Sequence, residues 1–261
     1  MRMRITRWCL FLAVCALVLF GACSGEASVK VLAPNKIGEF AVPDHDAEEG
    51  YRLNPKGKYY YYGNYGFNGC SQFCAVTFYE EEFTATSTLP QIKNTKYGPE
   101  NLRNLSNKDI EGCNREDVWC EGANGYGVGE RVNLSIKMGA YFKGNEDIIC
   151  FPALMIVNGH AKNETTWKNN SRVKTLRLYV GGEPWRDLQL KDTIKPQIFN
   201  FEDNERIYPA KSGKIISDVD EHGHSIYQTD FSFEIIEVYK GAKYDDTCIT
   251  GIQFDIYAAA H

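Results

Sequence analysis

The chain has 261 residues, of which 43% are hydrophobic and 24% are charged, and its formal net charge is −5. This length is enough for one large domain or two small ones with a hydrophobic core, and the composition excludes a disordered chain, a collagen-like repeat and a coiled coil. An acidic balance without any cluster of Lys and Arg argues against nucleic-acid binding. Nine cysteines are many for a cytosolic protein, and an odd number cannot all pair.

The first residues have the pattern of a bacterial export signal. Arg2, Arg4 and Arg7 precede an apolar run at residues 8–22, which is too short to span a membrane comfortably. Two small residues end this run directly before Cys23, which resembles a lipoprotein box, although Phe20 stands where Leu is usual. We expect removal of residues 1–22, a diacylglycerol on Cys23, and anchoring in the bacterial cell envelope, at the outer membrane or the cell surface. The alternatives are an ordinary secretory cut nearby and a signal anchor.

Six cysteines remain once the signal is removed and Cys23 is lipidated, and an even number can form a disulfide framework in an exported protein. They are Cys70, Cys74, Cys113, Cys120, Cys150 and Cys248. The close pairs, Cys70 with Cys74 and Cys113 with Cys120, are the expected bridges. Cys150 lies in an apolar strand pattern, where a buried thiol is the alternative. The spacings do not fit a zinc site, since no His falls at ligand distance from a cysteine pair.

Residues 23–57 are polar and show little apolar periodicity. This composition predicts a flexible tether that joins the lipidated Cys23 to a domain at residues 58–261. An acidic cluster surrounds His45, which could suggest a metal ligand, but a solvated linker explains it better.

Beyond the tether the dominant hydrophobic pattern has a period of two. Apolar and polar residues alternate at residues 131–138, 175–180 and 252–257, which predicts strands with one buried face. At residues 231–238 the apolar phase slips by one position, which suggests a bulge. Residues 153–157 are apolar throughout and suit a central strand buried on both faces.

Helical periodicity is absent apart from a possible turn or two at residues 98–105. Many short strands between Gly, Asn and Pro turns predict an all-β antiparallel sandwich or barrel. Doubly wound α/β folds are excluded, and with them most dinucleotide-binding and P-loop enzymes.

The most unusual segment is a glycine-rich run at residues 119–130. It lacks the G-x-G-x-x-G order and leads into a strand, which argues against phosphate binding. Trp119 and Tyr126 offer flat apolar faces that could stack on sugar rings, and Glu121 could accept hydrogen bonds from hydroxyls. The alternative is that Trp119 lies in the core and the glycines only turn the chain.

A second polar segment, residues 158–174, begins with Asn-Gly-His and contains Trp167, Asn169 and Arg172. These are further candidates for ligand binding, and the alternative is an ordinary loop between strands whose Arg pairs with a carboxylate.

Two more segments carry weak metal-binding patterns. Asp245 and Asp246 next to Thr247 could bind a hard cation or could accept backbone amides in a turn. His222 and His224, in a polar insertion at about residues 205–229, could take zinc or copper, but a solvated loop explains them better.

Taken together, these segments resemble the discoidin-like, or F5/8 type C, domains, and most closely the NAD glycohydrolase translocation or NADase-type glycan-binding subtype. The segments that match that subtype are residues 97–102, 119–130, 158–160, 170–174 and 238–247. The resemblance covers about residues 70–261. It implies a jelly-roll β-sandwich of the galactose-binding-like type, with loops at one end that usually bind glycans. It does not imply NAD hydrolysis, which in the namesake proteins belongs to a separate domain.

The chain departs from calcium-binding discoidin domains at the two stretches that approach the structural ion. An insertion carrying Cys113 interrupts the first stretch, with Asp117 where the family has Thr, and in the second Gly251 replaces a glutamate. We therefore expect no cofactor and no structural calcium, with a bridge from Cys113 to Cys120 bracing the loop instead.

The sequence thus predicts a non-catalytic surface lipoprotein that binds a carbohydrate. The residues expected to contact it are Trp119, Glu121, Tyr126, Trp167, Asn169 and Arg172. The alternative is recognition of another protein in envelope assembly. A hydrolase is the third hypothesis, but no nucleophile elbow, catalytic Cys/His spacing or H-E-x-x-H motif supports it.

Overall fold

Strands make up most of the computed structural model, which describes residues 28–38, 76–93, 95–105, 118–140, 149–217 and 225–258. The strands are β1 (Lys30–Leu32), β2 (Lys36–Ile37), β3 (Val76–Ala85), β4 (Trp119–Cys120), β5 (Arg131–Ala140), β6 (Ile149–Asn158), β7 (Ser171–Val180), β8 (Glu183–Gln189), β9 (Gln197–Asn200), β10 (Lys214–Ser217), β11 (Ser225–Tyr239) and β12 (Thr247–Ala258). The all-β fold class is confirmed.

Helical structure is confined to short pieces in the described residues. They are α1 (Glu164–Asn169), α2 (Pro209–Ser212) and two 3₁₀ turns at Pro99–Leu105 and Asp203–Glu205. The first 3₁₀ segment confirms the turn expected at residues 98–105. The described residues contain no helix with the length and hydropathy needed to cross a membrane.

The strands form two layers that meet at one corner. One layer has the order β2-β9-β6-β12, and the other has the order β8-β7-β11-β5-β3. At the corner the first two residues of β12 pair in parallel with the start of β7, and farther along, the same edge of β7 pairs with β8 instead. The layers separate beyond this corner, which gives a sandwich.

Aromatic side chains fill the space between the two layers. Phe151 of β6 and Phe254 of β12 approach Phe231 of β11, with ring centroids 5.3 and 4.2 Å away. All three side chains are buried. Tilted and edge-to-face rings at such distances add to the free energy gained from burying their apolar surface.

The strands expected from the sequence occur where the patterns place them. Residues 131–138 lie in β5, residues 175–180 in β7 and residues 252–257 in β12. The bulge expected in β11 is confirmed, because its register with β7 shifts between Ile235 and Glu237.

Strand β6 is buried on both faces, as its continuous apolar run predicts. Leu154 and Ile156 lie in the main core, whereas Met155 and Val157 pack on the other face against Ile198. Strand β6 pairs with β9 on one side and with β12 on the other, so it is central in its layer.

Residues 28–38, which we call the strap, differ from the expected flexible tether. Here β1 pairs in parallel with β8 and β2 pairs antiparallel with β9, so the strap contacts both layers. Leu32 packs against the core, and the Asn35 side chain accepts a hydrogen bond of 2.7 Å from the backbone N–H of Asn200. Strands of three and two residues are too short to show a period of two, which explains why the pattern failed here.

Removal of the strap should destabilise the sandwich. A chain beginning at residue 39 loses the burial of Leu32 and two strand pairings. Compared with a chain beginning at residue 28, we expect its free energy of unfolding to be lower by about 2 kcal/mol and its Tm to be lower by about 4–8 °C. Thermal denaturation followed by circular dichroism measures the difference. Equal melting temperatures would show that the strap contributes nothing.

Candidate functional site

Loops from four parts of the chain meet at one end of the sandwich, where β5, β7 and β12 begin and β6 and β11 end. We call this the loop end, and it comprises residues 86–97, 121–130, 159–170 and 240–246. Backbone hydrogen bonds connect these loops to the strands and to one another, for example from the N–H of Ala242 to the carbonyl of Lys168 at 2.9 Å. The segments singled out in the sequence are therefore neighbours in space.

Trp119 lies at the first position of β4 with none of its surface exposed. Its indole N–H donates to the carbonyl of Ser87 at 3.1 Å, and its ring belongs to the main core. The alternative interpretation of Trp119 as a core residue is therefore the one the structure supports. A ring without solvent contact cannot stack on a sugar in this conformation.

A disulfide joins Cys120 to Cys248, which lie opposite each other on β4 and β12. The expected bridge from Cys113 to Cys120 is therefore wrong. The true partner lies 128 residues away along the chain, a distance that hides the pairing in the sequence. Cys150 is buried in β6. The expected bridge between Cys70 and Cys74, like Cys113 itself, lies outside the described residues.

Glu121 is completely buried, and its carboxylate binds two backbone groups. It accepts a hydrogen bond of 2.8 Å from the N–H of Ala123 and one of 3.1 Å from the N–H of Thr247. Burial raises the pKa of Glu121 above its usual value, and the nearby carboxylates of Asp246 and Glu130 act in the same direction, while the two N–H donors oppose it. The side chain fastens the glycine-rich loop to β12 instead of facing a ligand.

The glycines of residues 121–130 are required by the shape of this loop. Gly125, Gly127 and Gly129 have φ values of 97°, 67° and 93°, which place them in the left-handed region. A Cβ on Gly127 would also overlap the side chain of Glu121. The loop thus turns closely over the buried carboxylate, and Tyr126 is brought to its surface in a half-buried position.

Arg172 and Trp167 form a second buried pair, with 6% and 8% of their surfaces exposed. The guanidinium carbon lies 4.6 Å from the Trp167 ring centroid, and the same group binds Asp192 through two hydrogen bonds of 2.9 and 3.0 Å. Another guanidinium nitrogen donates to the carbonyl of Asn170 at 3.0 Å. This is the alternative foreseen for Arg172, an arginine paired with a carboxylate, and it leaves little of either side chain for a ligand.

The Asn-Gly-His segment makes room for this pair. A Cβ on Gly159, whose φ is 76°, would lie 2.5 Å from Cγ of Arg172 and 2.7 Å from Cδ1 of Trp167. The buried Asn158 amide donates to the carbonyl of Val173 at 2.7 Å and accepts from the N–H of Val173 at 3.0 Å, so it joins β6 to β7.

The six residues expected to bind a ligand thus divide into two groups. Trp119, Glu121, Trp167 and Arg172 are buried and bonded within the protein, whereas Tyr126 and Asn169 are half-buried. The buried four hold the loops in place.

The surface of the loop end also carries tyrosines that the sequence analysis did not select, beside two carboxylates that it considered only as cation ligands. Tyr244 is 43% exposed, and the ammonium group of Lys243 lies 5.0 Å from its ring centroid. Lys240 approaches the Tyr126 ring in the same way at 4.4 Å. Each such cation–π contact places an ammonium group over one face of a tyrosine ring.

Tyr97 and Asp246 belong to the same surface. Burial raises the pKa of Tyr97, and Asp246 and Tyr244 act in the same direction. Burial also raises the pKa of Asp246, and the neighbouring Asp245 carboxylate adds to the effect. We call Tyr97, Tyr126, Tyr244, Asp245 and Asp246 the tyrosine patch. All five lie inside segments that the sequence analysis singled out, and membership of those segments could have identified the two that it did not select, Tyr97 and Tyr244.

The residues that the structure describes offer no group of three His, Cys, Asp or Glu side chains that could hold a metal ion. In the stretch where related domains carry a calcium ligand, Gly251 has no carboxylate, and the Thr250 hydroxyl already donates to Gly159 and accepts from Ala161. This stretch does not fit calcium. The other expected stretch, like His45, His222 and His224, lies largely or wholly outside the described residues.

Comparison with known proteins identifies one family. Residues 74–255 match the family model of the NAD glycohydrolase translocation F5/8 type C domain, which spans β3 to most of β12 and all four segments of the loop end. The strap lies outside the match. No curated protein matches the chain.

Substituting Gly159 by Ala should destabilise the loop end strongly. The new Cβ meets Arg172 and Trp167 and also forces a left-handed backbone, so we expect a loss of at least about 3 kcal/mol in the free energy of unfolding. The control is Gly125→Ala, which has a similar backbone strain but open space around the Cβ, and should cost about 1 kcal/mol. Urea denaturation of both variants measures how much of the loss comes from the clash with Arg172 and Trp167 and how much from backbone strain. Equal losses of unfolding free energy in the two variants would show that the clash contributes nothing.

Glu121 should contribute a measurable pH dependence to stability. Because its pKa is raised in the folded protein, the folded state binds the proton more tightly than the unfolded chain does. The free energy of unfolding therefore falls as the pH rises from about 4.5 through the raised pKa. We expect Glu121→Gln to reduce this slope in urea denaturation at several pH values, while Asp246 retains its own contribution of the same sign. If the pH dependence of the unfolding free energy were the same in Glu121→Gln and the wild type, the raised pKa of Glu121 would be contradicted.

Proposed function

The chain belongs to the NAD glycohydrolase translocation F5/8 type C domain family, and from this membership we propose that it is a non-catalytic module that binds a carbohydrate at its loop end. Domains of this F5/8 type commonly act in binding. The fold carries no known catalytic chemistry, and the sequence contains none of the usual nucleophile motifs.

The tyrosine patch is the observation that supports carbohydrate as the ligand. Tyr244 is exposed and Tyr126 is half-buried, and a tyrosine face stacks on the C–H face of a sugar ring. Asp245 and Asp246 stand beside them, and carboxylates accept hydrogen bonds from neighbouring sugar hydroxyls. The patch therefore combines an apolar face with hydrogen-bond acceptors, which is the combination that a sugar ring requires.

The rigidity of the loop end supports the same proposal. Thr247 donates to the carbonyl of Tyr126 at 2.8 Å, and the N–H of Tyr244 donates to the carbonyl of Asn169 at 2.8 Å. Because both tyrosines lie on loops that are tied down in this way, a ligand would order few additional groups on binding. Preorganisation of this kind strengthens weak polar contacts such as those with sugars.

The proposal includes anchoring to a bacterial membrane. The box at Cys23 supports cleavage before that residue and attachment of a diacylglycerol to its sulfur. The protein would then be displayed in the cell envelope, at the outer membrane or the cell surface.

A glycan array with protein beginning at residue 28 tests the carbohydrate proposal. We expect retention on at least one glycan, and a loss of about fivefold in affinity for Tyr126→Ala and for Tyr244→Ala, because one stacked ring contributes about 1 kcal/mol. The matched control is Tyr208→Ala, which removes another tyrosine paired with a lysine, since Lys211 lies 4.7 Å from that ring centroid near α2.

Two results would overturn the carbohydrate proposal. One is the absence of binding to any glycan, and the other is unchanged binding by both loop-end variants. An envelope protein captured by the wild type but lost with Tyr126→Ala would favour the alternative, recognition of another protein.

A further inference from the structure

The strap enters the sandwich near the end opposite the loop end, which we call the far pole. Strand β7 runs from the loop end at Ser171 to the far pole at Val180, and β8 runs back antiparallel to it. Strand β1 is parallel to β8, with Lys30 opposite Arg186 and Leu32 opposite Leu188. The chain therefore runs towards the loop end along β1 and reaches Lys30 from the side of the far pole.

The position of Lys30 along the sandwich follows from the strand register. Lys30 pairs with Arg186, which in turn pairs with Leu178. Leu178 stands six residues along β7 from Arg172, so Lys30 lies about 20 Å from the base of the loop end at the usual rise per residue.

The strap holds this position through contacts to both layers. Lys30 forms an ion pair with Glu205, which also binds Arg186 of β8 at 3.2 Å. The N–H of Asn35 donates to the carbonyl of Ile198 in β9 at 2.8 Å. These contacts fix where the chain leaves the sandwich on its way back to Cys23.

Only six residues lie between Cys23 and Lys30, so seven Cα–Cα steps join them, and even fully extended these steps span at most about 25 Å. If the loop end faced the membrane, Lys30 would stand at least about 20 Å above the lipid, plus the thickness of the loops. The chain would also have to reverse its direction directly before β1. That orientation would therefore need almost the full extended reach of about 25 Å together with the reversal of direction, whereas the orientation with the far pole towards the lipid needs neither.

We propose that the far pole faces the membrane that carries the lipid and that the loop end faces away from it. The inference rests on the lipid anchor at Cys23 that forms part of the proposed function. This orientation also narrows the class of ligand. A site that faces away from the anchoring membrane meets a glycan presented from the opposite side, and it does not meet the headgroups of the anchoring leaflet.

Energy transfer in vesicles tests the orientation with the acylated full-length protein. A donor fluorophore is placed through a clickable amino acid at Asn124, on the loop end, or at Glu183, at the far pole, both of which are exposed. The acceptor is a lipid-bound dye in the outer leaflet. Since the two positions differ by about 30 Å in height, we expect transfer from residue 183 to exceed transfer from residue 124 by at least about twofold.

The control is a variant with about 20 Gly/Ser residues inserted between residues 27 and 28, which adds a flexible linker of about 25 Å and leaves the strap intact. In this variant the difference between the two donor positions should shrink. Equal or reversed transfer in the uninserted protein would overturn the proposal, and so would a difference that the insertion leaves unchanged.

Mass spectrometry of the protein separates this inference from the ligand proposal. A Cys23 without diacylglycerol removes the anchor and overturns the orientation, whatever the glycan array shows. A failed array with the expected energy transfer overturns the carbohydrate proposal and leaves the orientation in place.

Discussion

Two consecutive residues at the start of β12, Thr247 and Cys248, hold the loop end together. The carbonyl of Thr247 accepts from the N–H of Glu121, and the N–H of Thr247 donates to the Glu121 carboxylate. The Thr247 hydroxyl donates to the carbonyl of Tyr126. Cys248 is bonded to Cys120 and accepts from the N–H of Gly159. The same two residues pair with β7, so the loops are positioned at the corner where the two layers join.

The residues that make the sequence recognisable are mostly those that build this corner. They include a buried carboxylate, a buried arginine and glycines in the left-handed region. Each of them fits a local requirement of charge or space that is set by its neighbours. Groups of this kind tolerate little change, because each fits one local arrangement of charge or space. Many of the motif residues therefore form the scaffold of the loop end.

Sequence patterns predicted the parts of the fold that repeat over several residues. Alternation revealed β5 and β7, and the unbroken apolar run revealed the doubly buried β6. The strap and the six-residue α1 were missed because so few residues carry no measurable period. The candidate loops were also predicted correctly as segments, but burial of Trp119 and Arg172 depends on Ser87 and Asp192, whose positions only the tertiary structure gives.

The disulfide determines how late in synthesis the loop end can be completed. It encloses 128 residues, and closing a loop of that size removes about 5 kcal/mol of chain entropy from the unfolded state in the usual model. Cys248 follows almost all of the sandwich in the sequence, so the cross-link cannot form until nearly the whole domain has been synthesised. It also requires an oxidising environment. A chain in a reducing environment therefore lacks the bond that joins its glycine-rich loop to β12, so the loop end is complete only under oxidising conditions.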